Sequence, residues 1–222
     1  MPSSSIASTD FASILAASVH DMKNSLGTIR DLIKQLKQSN TPDDNLMQLE
    51  FEASRMNNSL MHLLALYKIE LEKFSLNIDE YSLNEILNDI KAQQSALLDL
   101  SHISLEVEYD GKEQLCYCDF DLVSNAIGSI LNNAQRYSET QVILSAGKQN
   151  GYSYFSIEDD GAGFPEKLIT SKEIDFHGGN TGLGLYFVSI IAKLHSTASK
   201  QGYIETSNTS RLGGAKFTLF LP

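Results

Sequence analysis

The chain has 222 residues, 42% of them apolar, and a formal net charge of −11, which suits one large domain or two modest ones with packed cores. That charge argues against nucleic acid as a partner, because such binding rests on Lys and Arg meeting phosphates. No run approaches the ~20 apolar residues that span a bilayer, and residues 1–10 are Ser-rich without the basic-then-apolar pattern of a secretory signal, so a soluble chain of a reducing, cytoplasmic compartment is expected.

After the flexible lead of residues 1–10, apolar residues recur at Leu15, Val19, Met22, Leu26, Ile29, Ile33 and Leu36. Gaps of four and three make this a heptad seam. Residues 39–44 break the helix, with Thr41 as a cap and Pro42 in the first turn of the next one. A second seam runs through Leu46, Leu49, Ala53, Met56, Leu60, Leu63 and Tyr67. Two antiparallel helices within residues 11–74 cannot bury both seams and their flanks alone. Two such hairpins paired as a four-helix bundle would, so a homodimer is expected. His62, on the second helix, reads as an ordinary exposed histidine.

Residues 75–81 read as a linker with a short strand, and Ser82 with Glu85 forms a capping box for a helix reaching about Leu100. Strands follow at Ile103–Tyr109 and Gln114–Tyr117, with Cys116 and Cys118 spaced for one face. Zinc takes about four ligands and no partner cluster accompanies them, which leaves core packing. Asp119 to Arg136 is a long helix with an apolar face. Gln141–Lys148 and Tyr152–Glu158 form a hairpin around Asn150-Gly151. A glycine-punctuated stretch, Gly161–Gly184, leads to a helix through Leu194, and Gly202–Ser207 and Ala215–Leu221 are the closing strands. The fold class is α+β: a helical hairpin, then an α/β sandwich with a mixed sheet over residues 82–222.

Three groups of residues carry chemistry. Val19 and Met22 point into the seam, so His20 lies beside it and reaches solvent, with Asp21 able to fix one imidazole nitrogen and leave the other as nucleophile. Asn133 offers an amide oxygen, a ligand type that suits Mg²⁺; an Asn at a helix end is otherwise a cap or surface feature. Asp159-Asp160-Gly161-Ala162-Gly163 follows a strand, where a carboxylate can accept from the adenine amino group and glycines permit a tight turn. Gly178 to Leu185 places Gly182 and Gly184 at a helix opening, where N–H groups can face phosphates. The chain has no Gly-x-x-x-x-Gly-Lys, and Gly182-Leu183-Gly184 lacks the third glycine of a dinucleotide fingerprint.

In this order the motifs resemble a bacterial sensor histidine kinase core, from about Phe11 to Pro222. His20-Asp21-Met22-Lys23-Asn24 is similar to the phosphoacceptor motif of that family, with Ser25 where a proline is usual. Residues 127–138 resemble its asparagine box, with Ser129 where the family has its earlier Asn. The two glycine elements resemble the ATP-binding fold that histidine kinases share with type II topoisomerases, Hsp90 and mismatch-repair ATPases. The resemblance implies that Asp21 is the general base for autophosphorylation of His20. It also implies that Asn24 orients water for dephosphorylating a partner, and that Asn133 bridges to Mg²⁺ while Arg136 meets phosphate. Tyr137 then packs near the nucleotide and Asp159 selects adenine. Gly161, Gly163, Thr181, Gly182, Leu183, Gly184 and Leu185 line the ATP site.

Residues 164–181 read as plain loop or, on the resemblance, as an ATP lid with Phe164 and Phe176 as anchors and Lys172 and His177 near phosphate. The partners implied are a second copy of the chain, the receiver domain of a separate response regulator, and a separate sensor protein if the chain is not the core of a longer one. Three alternatives stand beside the kinase: a phosphotransfer hub without catalysis, a phosphatase-dominant regulator using Asn24, and a serine-directed anti-sigma kinase. The last would not need the heptad hairpin.

Overall fold

The computed structural model describes residues 19, 22–29, 31–33, 36, 43–70, 75–100, 102–109, 114–166, 169 and 183–222. Their contacts divide into two units, one holding the helices up to residue 70 and the other beginning at Ser75.

The first unit contains α1, helical at residues 22–29 and 31–33, and α2 (Asp43–Glu70). The helix is continuous through Ser25, which is buried. The seam residues are not what the single chain buries. Val19 and Leu26 are each 55% exposed and Ile33 41%, and Leu60 and Tyr67 are also exposed. The buried positions are Ser25, Leu32, His62 and Leu66 instead. Against expectation, His62 is only 7% exposed. Burial disfavours its charged form and lowers its pKa to about 4.

In the second unit, β1 (Asp79–Ser82) pairs antiparallel with β3 (Leu115–Cys118) as a small ribbon, and Cys116 and Cys118 both face inward as free thiols. The hydrogen bond to Cys116 and burial together keep the Cys118 thiol protonated. The main sheet has the order β2-β4-β5-β7-β6, built from β2 (Ser104–Tyr109), β4 (Gln141–Gln149), β5 (Tyr152–Asp159), β6 (Tyr203–Ser207) and β7 (Lys216–Leu221). Only the β2–β4 pair is parallel, so the sheet is mixed. The β4–β5 hairpin turns on Asn150 and Gly151, with φ of 53° and 74°. Both positive values belong to the tight turn that suits the strand twist.

Three helices bury their apolar faces in this unit: α3 (Leu83–Leu100), α4 (Phe120–Tyr137) and α5 (Leu183–Leu194), the last from Leu185 onward. The capping box holds in part, since the Ser82 N–H donates to Glu85 Oε2 at 3.3 Å. On α4, Val123, Ala126, Ile127, Ile130, Leu131 and Ala134 are buried at helical spacing. Leu144, Phe155, Ile157 and Leu219 on the strands are likewise buried, and α4 packs against β5.

Asp119 caps α4 by accepting from the Leu122 N–H at 3.2 Å, and its other oxygen accepts from the Asn77 N–H at 2.9 Å. The Asp119 N–H in turn donates to Nε2 of buried His195 at 3.0 Å. Nδ1 of that ring lies 2.8 Å from the Ile191 carbonyl, so His195 is neutral and protonated at Nδ1. Its burial pushes its pKa below the usual histidine value, outweighing that carbonyl and the Asp119 charge.

Candidate nucleotide site

The end of α4 and the end of β5 form one corner of the second unit. Asn133, Arg136 and Tyr137 are exposed on the last turns of α4, and the Arg136 guanidinium lies 5.5 Å from the centre of the Tyr137 ring. α4 stops at Ser138, whose N–H donates to the Ala134 carbonyl at 2.7 Å. The chain then passes Glu139 and Thr140 into β4.

Asp159 is the last residue of β5 and is 7% exposed. Its Oδ1 accepts from the Gly161 N–H at 2.9 Å and the Ala215 N–H at 3.0 Å. Its carbonyl accepts from the Gly214 N–H at 3.1 Å and the Ser210 hydroxyl at 2.7 Å. Oδ2 has no recorded protein donor among the described residues, so one oxygen is locked and the other is an acceptor for something else.

Asp160 does a different job. It accepts from the N–H groups of Glu139, Thr140 and Gln141 at 2.8, 2.9 and 3.1 Å and from the Thr140 hydroxyl at 2.6 Å. Desolvation alone would raise its pKa, but these donors hold it below the ordinary aspartate value. Its oxygens are committed to pinning the start of β4, so of the two adjacent aspartates Asp159 is the one with spare capacity.

Two glycines permit the corner to close. A Cβ on Gly161 would lie 2.0 Å from the Tyr137 carbonyl oxygen. A Cβ on Gly214 would lie 2.4 Å from Asp159 Oδ1 and 2.5 Å from the Gly161 nitrogen. The structure thus brings the end of α4 against the Asp159–Gly163 turn. Gly163 has φ +81°, and the next residue, Phe164, exchanges two bonds with the Asn208 side chain, at 2.7 and 2.9 Å.

Other site candidates fall elsewhere. Gly184 is half-buried and Leu185 buried in the first turns of α5, which begins at Leu183. Asn24 is exposed on α1. His20, Asp21, Lys172, Phe176, His177, Thr181 and Gly182 lie outside the described residues. Sequence reading missed Asp160, Asn208, Ser210, Arg211 and Gly214. It took Ala215 as the start of the final strand, which begins at Lys216; the Ala215 N–H is spent on Asp159. The paired glycines Gly213-Gly214 ahead of a strand were the available signal.

The residues present fit a nucleotide with magnesium. Asn133 is exposed, and its amide oxygen is of the ligand type that a hard cation such as Mg²⁺ would accept. The spare Asp159 oxygen is a pure acceptor, the complement of an exocyclic amine.

Residues 118–222 match the family described as histidine kinase-, DNA gyrase B- and HSP90-like ATPase. Among curated proteins, the chain is 27% identical over 201 residues to sensor histidine kinase YkoH of Bacillus subtilis, covering 82% of this chain and 43% of the relative. It is 22% identical over 212 residues to sensor histidine kinase CpxA of Escherichia coli, covering 91% and 45%. The chain therefore spans under half the length of these relatives. Among solved structures, Acinetobacter baumannii histidine kinase AdeS aligns with TM-score 0.63 at 18% identity, over 91% of this chain and 96% of that one. Histidine kinase ThkA in complex with response regulator protein TrrA aligns with TM-score 0.65 at 19% identity, over 94% and 60%. At those identities the likeness is one of fold.

Proposed function

We propose that the chain, whose residues 118–222 match the family described as histidine kinase-, DNA gyrase B- and HSP90-like ATPase, is the core of an ATP-dependent protein-histidine kinase. Residues 11–74 would then be its dimerisation and phosphoacceptor hairpin, 75–81 its linker and 82–222 its catalytic domain. The observation that carries the reading is Asp159, with one oxygen fixed by two backbone N–H groups and the other left as an acceptor beside the asparagine-box helix. The relatives named as sensor histidine kinases, and a neighbour solved with a response regulator, support the same reading.

Asp159 accepts from the adenine amino group, Arg136 stands where it can meet phosphate, and Asn133 supplies the protein ligand to Mg²⁺. Held there, Mg²⁺ would neutralise charge on the phosphates. His20 attacks the γ-phosphorus of ATP, forming a P–N bond as the P–O bond to the β-phosphate breaks and ADP leaves, while Asp21 as general base takes the imidazole proton; orientation together with electrostatics does most of the work. The phosphoryl group then passes to an aspartate of a separate response regulator, and Asn24, one turn along α1, serves dephosphorylation of that partner. The exposed apolar residues Val19, Leu26, Ile33, Leu60, Leu64 and Tyr67 favour burial against a second copy of the hairpin, a homodimer. Among the described residues no helix is long and apolar enough to cross a membrane, and we place the domain in the cytoplasm.

The test is incubation with γ-labelled ATP and Mg²⁺. Wild type takes up acid-labile, base-stable label, and His20→Gln and Asn133→Ala take up none. Label persisting in His20→Gln would move the acceptor elsewhere, and Mg-ATP binding without any label would favour a phosphotransfer hub or phosphatase.

A further inference from the structure

The turn over residues 208–215 links β6 to β7, and it also holds Asp159 in place. Ser210, Gly214 and Ala215 supply three of the four hydrogen bonds that Asp159 accepts. The turn is itself tied to the sheet through Arg211, by its backbone N–H and its guanidinium. The Arg211 N–H donates to Glu158 Oε2 at 2.8 Å and its Nε to Glu158 Oε1 at 3.0 Å, while Nη1 donates to both oxygens of Glu108 at 3.1 and 2.9 Å. Arg211 thereby joins β2, β5 and the turn.

Glu158 is 2% exposed and directly precedes Asp159. Among the described residues its other cationic neighbour is Lys216, whose Nζ is 3.6 Å away. Burial alone would raise the Glu158 carboxyl, yet Arg211 and Lys216 hold it below the usual carboxylate value. Successive strand residues point to opposite faces, so Arg211 grips one face of β5 while Asp159 points to the other, and the turn backbone connects the two.

We propose that Arg211 is a positioning residue for base recognition: held between Glu158 and Glu108, it fixes the turn that aims the Asp159 carboxylate. This rests on the reading of Asp159 as the adenine acceptor. A guanidinium suits the task because its planar fork serves two carboxylates at once, which an ammonium does not. Without it Glu158 is left buried with the longer Lys216 ion pair at 3.6 Å and no bidentate partner, a state that favours local rearrangement. Ser210, Gly214 and Ala215 then lose their register on Asp159.

The experiment is calorimetric titration of the full chain with ATP and with GTP, each with Mg²⁺, for wild type, Arg211→Ala, Arg211→Lys, Glu108→Gln and Asp159→Asn. Arg211→Ala is expected to cut the preference for ATP over GTP about tenfold by weakening ATP alone, with GTP affinity held within about twofold. Arg211→Lys, which keeps a cation at Glu158, should lose about threefold. A general structural defect would weaken both nucleotides equally and leave the ratio unchanged. An unchanged ratio in Arg211→Ala, with the ratio lost in Asp159→Asn, overturns the positioning role and leaves the adenine reading standing. A ratio unchanged in Asp159→Asn overturns both. If Arg211→Ala does not fold, Arg211→Lys and Glu108→Gln give the same reading, and unaltered ratios in them overturn the proposal.

Discussion

Adding one methyl group at Gly161 should weaken nucleotide binding sharply while leaving most of the chain folded. The new Cβ would sit 2.0 Å from the Tyr137 oxygen and 2.8 Å from its carbonyl carbon. Carbon and carbonyl oxygen normally rest about 3.4 Å apart, so the turn and the end of α4 must separate by over an ångström. Both obstacles are backbone and cannot rotate away. Overpacking of this kind costs about 3 kcal/mol at its upper range. If most of that falls on the bound arrangement, the Kd for Mg-ATP rises by about 100-fold. Gly27 is the internal control, because nothing lies within 4 Å of its Cβ position on α1. Gly27→Ala should be neutral or stabilising by up to about 1 kcal/mol, from helix propensity alone. The assay is ATP titration beside thermal unfolding for both variants. ATP binding by Gly161→Ala at wild-type affinity would refute the contact between the α4 end and the turn, and with it the site as described.

Acid sensitivity should trace in part to His62. Its pKa is lowered to about 4 from 6.5, so below 6.5 the unfolded chain takes up a proton that the folded chain refuses. Stability is full above pH 6.5 and falls as pH drops toward 4, by up to roughly 3 kcal/mol at 1.36 kcal/mol per pKa unit. Thermal melts of wild type and His62→Gln between pH 7 and 4 check this: the variant should show a flatter profile, and identical slopes would count against the burial. Asp160→Ala strips the acceptor from three N–H groups and a hydroxyl at the start of β4. It should lower stability by about 2 kcal/mol, with hydrogen exchange rising first at residues 139–141. Because the folded pKa of Asp160 lies below the unfolded value, its contribution is present above the ordinary aspartate pKa and fades as pH falls below it. Denaturant melts at pH 7 and pH 3 should show the Asp160→Ala deficit shrinking at the lower pH.

Local periodicity made much of the second unit legible. Asn150-Gly151 between two alternating runs can hardly be anything but a hairpin, and the apolar spacing on α4 states which face is inside. What sequence could not show depends on partners far along the chain. Asp159 and Asp160 are chemically alike and adjacent; their difference comes from Thr140, about twenty residues earlier, and Ala215, 56 later. Arg211 reads as a surface residue in a polar turn until Glu108, 103 positions away, is found beside it. His62, expected to be exposed, differs for another reason. A heptad seam says which residues prefer to leave water, not which of them one chain covers by itself, and so His62 and Leu66 are buried while Leu60 and Tyr67 stay exposed.

Strand β7 comes after every other described strand in the chain yet lies inside the sheet, between β5 and β6. During synthesis on a ribosome, β6 lacks its β7 partner, and Asp159 lacks the amide of Ala215, until β7 clears the exit tunnel. The carboxylate therefore gains its full set of bonds only after β7 is made, and trimming a few residues from β7 would strip a ladder from both of its neighbours at once.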